Sequence, residues 1–166
     1  MRLIILIIGI GLQPLYSQQR LITAKQGFGV SQNKQAHALF DIEFHEQQVW
    51  GIVGQSTLLL TSTDNNQRAF STGMILNRHF FFKNHDFYVG LGAGTVGQRA
   101  VKDMQPKVNT VVGYNYYANK YFHFFLKLNY DYYQSPIVDV MQSPGVEVYF
   151  GLGYQLNDFY RLIRGK

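Results

Sequence analysis

Tyr121-Phe122-His123-Phe124-Phe125-Leu126-Lys127-Leu128-Asn129-Tyr130-Asp131-Tyr132-Tyr133 is the stretch that decides the fold. Phe122, Phe124, Leu126, Leu128, Tyr130 and Tyr132 fall on one face at a spacing of two. His123, Lys127, Asn129 and Asp131 fall on the other, with Phe125 among them. Side chains of an extended strand point to alternate sides, so this segment has one apolar and one polar face.

The same alternation recurs in both directions. Toward the C-terminus, Val146, Val148, Phe150, Leu152, Tyr154 and Leu156 alternate with Glu147, Tyr149, Gly151, Gly153 and Gln155. Upstream, Val108, Thr110, Val112, Tyr114 and Tyr116 alternate with Asn109, Val111, Gly113 and Asn115. Phe87, Val89, Leu91 and Ala93 alternate with Tyr88, Gly90, Gly92 and Gly94, and Phe40, Ile42 and Phe44 with Asp41, Glu43 and His45. Phe28 and Val30 mark a first strand among glycines. Residues 49–60 and 68–82 read as strands of less regular alternation. The pattern predicts eight strands within residues 25–156, each of about nine residues or more, enough to cross a bilayer when tilted.

The connections carry a second signal. Glu46-Gln47-Gln48, Lys83-Asn84-His85 and Ala118-Asn119-Lys120 are tight links. The intervening segments 31–35, 61–67, 98–105 and 134–144 are more polar and mostly longer. Bacterial membrane barrels alternate short periplasmic turns with longer outer loops in this way. The expected fold is an all-β, eight-stranded, antiparallel up-and-down transmembrane barrel. Both chain ends would lie on the short-turn side, and segment 134–144, then 98–105, would be the main outer contact loops.

Aromatic residues gather near the strand ends. Trp50, Phe80, Phe82, Phe87, Tyr114, Tyr116 and Phe122 flank the tight turns, and Tyr130 and Tyr132 lie toward the opposite rim. Phe70, Phe81, Tyr88, Tyr117, Tyr121 and Tyr133 add to these two groups. Rings with an apolar body and a polar tip favour the membrane–water boundary. A soluble sandwich or lipocalin-like barrel would instead bury the apolar face and give the charged face to water. Periodicity alone does not separate the two.

In the membrane reading Asp41, Glu43, His45, His123, Lys127, Asp131 and Glu147 form a polar cluster in the lumen. A barrel of eight strands is narrow and is filled by its side chains. Charges there must pair or be hydrated, and acids on the second strand are candidate partners for Lys127. Glycines on the inward face leave room for Tyr88, Phe125 and Tyr149. A packed lumen is expected rather than a conducting pore.

The chain begins Met1-Arg2, followed by an apolar run to Leu12 and then Gln13-Pro14-Leu15-Tyr16-Ser17. A basic start, a short apolar core and a small residue are the layout of a secretory signal peptide, with Ser17 the last residue removed. Residues 1–17 are thus a leader and 18–166 the barrel domain, ending in a short tail, 157–166. An uncleaved anchor is the competing reading, but its apolar run falls well short of the roughly 20 residues a spanning helix needs.

The whole chain has 166 residues, enough for one domain, with 46% hydrophobic and 16% aromatic residues but only 15% charged. About 25% charged is usual for soluble domains. No cysteine is present, which excludes disulfides, thiolate metal sites and a lipidated cysteine. The net charge of +5 is scattered without a basic run, so no direct nucleic-acid role is expected.

Chemistry is sparse by spacing. His37, His45, His79, His85 and His123 show no His-x3-His pair. Glu43-x-His45 could orient an imidazole but also reads as a lumen pair. The residues two positions after each histidine are Leu39, Gln47, Phe81, Phe87 and Phe125, so the His-x-Ser of barrel lipid A deacylases is absent. Gly90-Leu91-Gly92-Ala93-Gly94 lacks the Lys-Ser/Thr of a phosphate loop and reads as lumen packing or a bulge. No catalytic residue, metal or cofactor is expected, and the chain is not read as an enzyme.

Residues 87–94, the 114–133 hairpin and residues 148–154 together resemble the small outer-membrane β-barrel superfamily of OmpX-like and OmpA-barrel-like proteins. The resemblance spans residues 25–156 and implies an outer-membrane location, with the bilayer as first partner and protein partners at the outer loops. Barrels of that kind usually end on an aromatic residue, whereas here a ten-residue tail follows the last strand. The Tyr16-Ser17-Gln18-Gln19 junction resembles exported proteins of the Bacteroidota. Gln26-Gly27 and Trp50 resemble, in part, the TraO family of conjugative elements, which implies a part in a transfer or secretion apparatus. The sequence also leaves room for a lipid-modifying barrel enzyme and for a soluble periplasmic lipocalin-like binder.

Overall fold

The computed structural model describes residues 21–46, 49–60, 69–98, 101–133 and 145–156. The leader, segments 61–67 and 134–144 and the tail lie outside the described residues. Eight strands run β1 (Leu21–Ser31), β2 (Ala36–Glu46), β3 (Trp50–Leu59), β4 (Ala69–Phe82), β5 (His85–Gln98), β6 (Val101–Tyr117), β7 (Phe122–Tyr133) and β8 (Gly145–Gln155). Each pairs antiparallel with its chain neighbours, and β1 pairs with β8 to close the barrel.

The polarity of the wall is inverted relative to a soluble barrel. On β7, His123, Phe125, Lys127, Asn129, Asp131 and Tyr133 are buried inside, while Phe124, Leu126, Leu128, Tyr130 and Tyr132 face out. The same holds around the circumference: Phe28, Phe40, Phe44, Ile52, Met74, Leu76, Val89, Leu91, Val112, Phe150 and others form an exposed apolar surface.

Several boundaries differ from the sequence expectation. β1 starts at Leu21 rather than near Lys25, and Thr23 already faces the lumen. β3 and β4 alternate as regularly as the rest. Their hydropathy is blurred because apolar Val53, Leu59 and Ile75 point inward while Gly54, Ser56 and Thr72 point outward. Segment 98–105 is not a loop: β5 continues to Gln98, β6 begins at Val101, and the hairpin extends the wall. A shift of register between Val96 and Gln98 marks a bulge there. Residues 90–94, read from sequence as packing or a bulge, keep unbroken register and serve packing. Tyr88 faces the lumen, as expected of a large inward group, and so does Tyr133, which the sequence groups with the rim aromatics.

The turns form two distinct ends. At one end β4 and β5 pair as far as Phe82 and His85, leaving a two-residue connection in which Lys83 takes a left-handed φ of 55°. At the β6–β7 turn the Asn119 side-chain oxygen accepts from the backbone N–H groups of Tyr121 (2.8 Å) and Phe122 (3.0 Å). At the other end, segment 31–35 is also a tight turn, held by Ser31 N–H to Gln35 O at 3.0 Å and Lys34 N–H to Ser31 O at 2.9 Å. We call these the tight-turn end and the loop end.

Candidate functional site

Among the described residues the buried inward side chains form three layers. Glycines make space for the largest groups. A Cβ on Gly113 would overlap the Tyr88 ring, one on Gly29 the Tyr149 ring, and one on Gly153 the His123 ring.

The layer at the tight-turn end is centred on Glu43 of β2. Its Oε1 accepts from Asn77 Nδ2 at 2.9 Å and faces His79 Nε2 at 2.9 Å. Its Oε2 lies 2.8 Å from Lys25 Nζ and 3.4 Å from His45 Nε2. His79 Nδ1 lies 3.0 Å from both oxygens of Asp86, which also accepts from Asn115 Nδ2 at 2.7 Å. Phe81 stacks on the outer side of His79 with ring centres 5.7 Å apart. Lys25 sits over the Tyr88 ring at 4.6 Å. Glu43 has no exposed surface, and His45 and His79 are only 4% and 2% exposed.

The middle layer joins Lys127 to Asp41 at 2.6 Å across the barrel. Beside it, Val53, Ile75, Tyr88 and Val111 make one apolar cluster and Leu39, Phe125 and Tyr149 another. The layer at the loop end holds Lys107, which donates to Asp131 at 2.8 Å and to Ser71 at 3.0 Å. Tyr149 donates to Glu147 at 2.5 Å, and His37 Nδ1 stands 3.7 Å from Glu147. Leu59, Ala69, Val96 and Tyr133 pack together there. Among the described residues the buried lysines Lys25, Lys107 and Lys127 each meet a carboxylate, which fits the rule that buried charges are paired.

Asp41, Glu43, His45, His123, Lys127, Asp131 and Glu147 are all buried, but they do not form one cluster. They divide among the three layers. Strand parity assigns their direction and leaves their depth open. Sequence reasoning missed Lys25, Asn77, His79, Asp86, Lys107 and Asn115. The same parity would have found them, since Asp86 lies two before Tyr88, Lys107 two before Asn109, and Lys25 two before Gly27.

Trp50, Phe80, Phe82, Phe87, Tyr116, Tyr130 and Tyr132 lie exposed on the outer wall, with Tyr114 and Phe122 half-buried beside them. Cations accompany those near the tight turns: Arg78 lies 5.1 Å from Trp50 and 5.7 Å from Phe80, and Lys83 lies 5.6 Å from Phe82. Tyr114 pairs its hydroxyl with His85 Nδ1 at 2.7 Å.

Two solved structures share this architecture. A de novo designed transmembrane β-barrel superposes with a TM-score of 0.58 over 84% of this chain and 99% of its own, at 9% identity. Neisserial surface protein A, NspA, superposes with a TM-score of 0.54 over 81% of this chain and 94% of its own, at 10% identity. The fold is that of a transmembrane β-barrel. No protein-family model matches the sequence, and no curated protein matches it. At such identities the likeness concerns the fold of the barrel, and function must be argued from the residues.

Proposed function

We propose that the chain is a small outer-membrane β-barrel with a structural or surface-interaction role, its lumen packed rather than conducting. The inverted wall carries this reading. A soluble lipocalin-like binder keeps a polar exterior, whereas Leu91 is 69% exposed, Met74 64% and Phe28 61%, on a surface continuous with Phe150 and Phe124. An apolar surface of that extent, running round the barrel, fits lipid around it. In this reading the tight-turn end faces the periplasm, with the chain exported by its leader. The loop end faces outward, where segment 134–144 would meet protein partners.

The test combines fractionation with gel migration. The folded chain should be recovered with outer membranes and should change mobility on boiling in detergent. Recovery from the soluble periplasm without detergent would overturn the membrane reading. In planar bilayers the purified barrel should give no single-channel steps, because Phe125, Tyr88 and Tyr149 fill the lumen. Regular conductance steps would overturn the packed-lumen reading.

A second reading, a component of a conjugative-transfer apparatus in a Bacteroidota cell, is favoured by Trp50 directly after the β2–β3 turn and by Gln26-Gly27 on β1. Transfer genes adjacent to this one would support it, and their absence across several genomes would remove it. A lipid-modifying activity would need a polar constellation open to the membrane or the rim, whereas Glu43, His45 and His123 are at most 4% exposed.

A further inference from the structure

We infer that Glu43, His45 and His79 form a binding site for a borderline divalent transition metal, with zinc as the type, in the layer of the lumen nearest the tight-turn end. The ligating atoms of these three residues lie within 4.8 Å of one another. Ligands bonded to zinc at about 2.0–2.2 Å in a tetrahedron stand roughly 3.4 Å apart. His79 Nε2 and Glu43 Oε1 are 2.9 Å apart, and His45 Nε2 and Glu43 Oε2 are 3.4 Å apart, close to that spacing. Two imidazoles with one carboxylate suit zinc and its neighbours better than magnesium or calcium, which take oxygen ligands.

Three further features fit a metal at this cluster. First, Asp86 grips His79 Nδ1 with both oxygens, which fixes the tautomer and turns Nε2 toward Glu43. A carboxylate behind a ligating imidazole is the usual outer partner of a metal site. With Nδ1–H donating to Asp86, the Nε2 lone pair of a neutral ring faces the lone pairs of Glu43 Oε1. Only a positive centre between them, a proton or a metal ion, makes that contact favourable. Second, Gly51 beside the cluster has no side chain, and a Cβ there would meet Glu43 Oε1 at 2.5 Å and His79 Nε2 at 2.9 Å. Third, His123 at the same end of the lumen is fully buried with neither ring nitrogen hydrogen-bonded, and its ring lies 4.9 Å from that of Tyr117, which in turn meets Phe81.

The cluster lies close to the tight-turn rim. His45 is the last inward residue of β2 before the turn, and the neighbouring rings of Phe81 and Tyr117 are only partly buried. A bound metal would tie β2 to β4 across β3, and it would do so whether or not the chain serves as a surface protein.

The test uses the full mature barrel, refolded in detergent without an affinity tag, with cobalt and zinc chloride as probes. One cobalt per barrel should bind with the intense visible bands of a tetrahedral site, and zinc should displace it. His45→Gln and His79→Gln should abolish the spectrum. Asp86→Asn should weaken binding by about 10–100-fold. His37→Gln, at the loop end, should leave it unchanged. X-ray absorption on the zinc-loaded natural barrel needs no variant, and two or three imidazole shells support the site. Failure of the folded barrel to bind either metal overturns the proposal. So does an all-oxygen zinc shell, or equal loss in His37→Gln and His45→Gln.

Discussion

Lys127 and Asp41 lie 86 positions apart in the chain, on strands that are not neighbours, yet their charged atoms meet at 2.6 Å inside the wall. Removing one partner leaves the other buried and unpaired, at a cost of about 3–5 kcal/mol. Lys127→Met should therefore lower unfolding stability in urea by that order. Lys127→Met combined with Asp41→Leu should recover most of the loss, and a double variant no better than the single one would assign the cost elsewhere. A steric counterpart lies at Gly113, opposite Tyr88 in register and in contact with its ring. Gly113→Ala should cost about 1–3 kcal/mol by overpacking, and Tyr88→Leu in the same chain should relieve it. What the sequence shows at this scale is direction: parity sends Lys127 and Asp41 inward. Which inward residues meet depends on the stagger of the strands around the closed barrel, and no local pattern encodes that. Glu43-x-His45 is visible in the sequence for this reason, while their common partner His79, which comes from β4, is not.

The strands are legible to different degrees for one physical reason. β7 and β8 carry large apolar groups outward and polar groups inward, so hydropathy follows geometry. β3 and β4 mix the two, with Val53, Leu59 and Ile75 inside and Ser56 and Thr72 outside, so the same regular geometry leaves a weak trace. The β5–β6 hairpin misleads in the opposite sense. Its polar residues around Gln98 and Gln105 suggest a loop, but the strands pair beyond the bulge, from Gln98 to Val101. Turns offer a direct check at this scale. Lys83 has a φ of 55°, a conformation that disfavours a side chain by about 1–2 kcal/mol. Lys83→Gly relieves that strain and adds about 0.5–1 kcal/mol of unfolded-state entropy. The expected result is a gain of about 0.5 kcal/mol in urea titration; a loss would show that the Lys83 contact with Phe82 outweighs the backbone.

At the scale of the molecule, the outer wall decides which solvent the barrel belongs in. Leu91 lies near the middle of β5 and faces outward. In a lipid bilayer, Leu91→Arg should cost about 2–4 kcal/mol, whereas Phe82→Arg at the strand end should cost about 0–1 kcal/mol. Urea titration of the barrel refolded in vesicles measures both. Equal, small effects would mean that the wall does not face lipid. This contrast depends on depth, so it separates a membrane-spanning wall from an apolar surface covered by another protein.

The seam between β1 and β8 has a consequence for chain connectivity. Thr23 is the register partner of Gln155, so the first and last strands leave the barrel side by side at the tight-turn end. A closed ring of strands has no privileged starting point. A short linker from residue 156 to residue 21, with a new opening in the 31–35 turn, would preserve every strand neighbour while moving both chain ends to the opposite rim. Such a circular permutant should fold to the same barrel. Anything fused to its new ends would then emerge at the loop end of the barrel, across from residues 21 and 156.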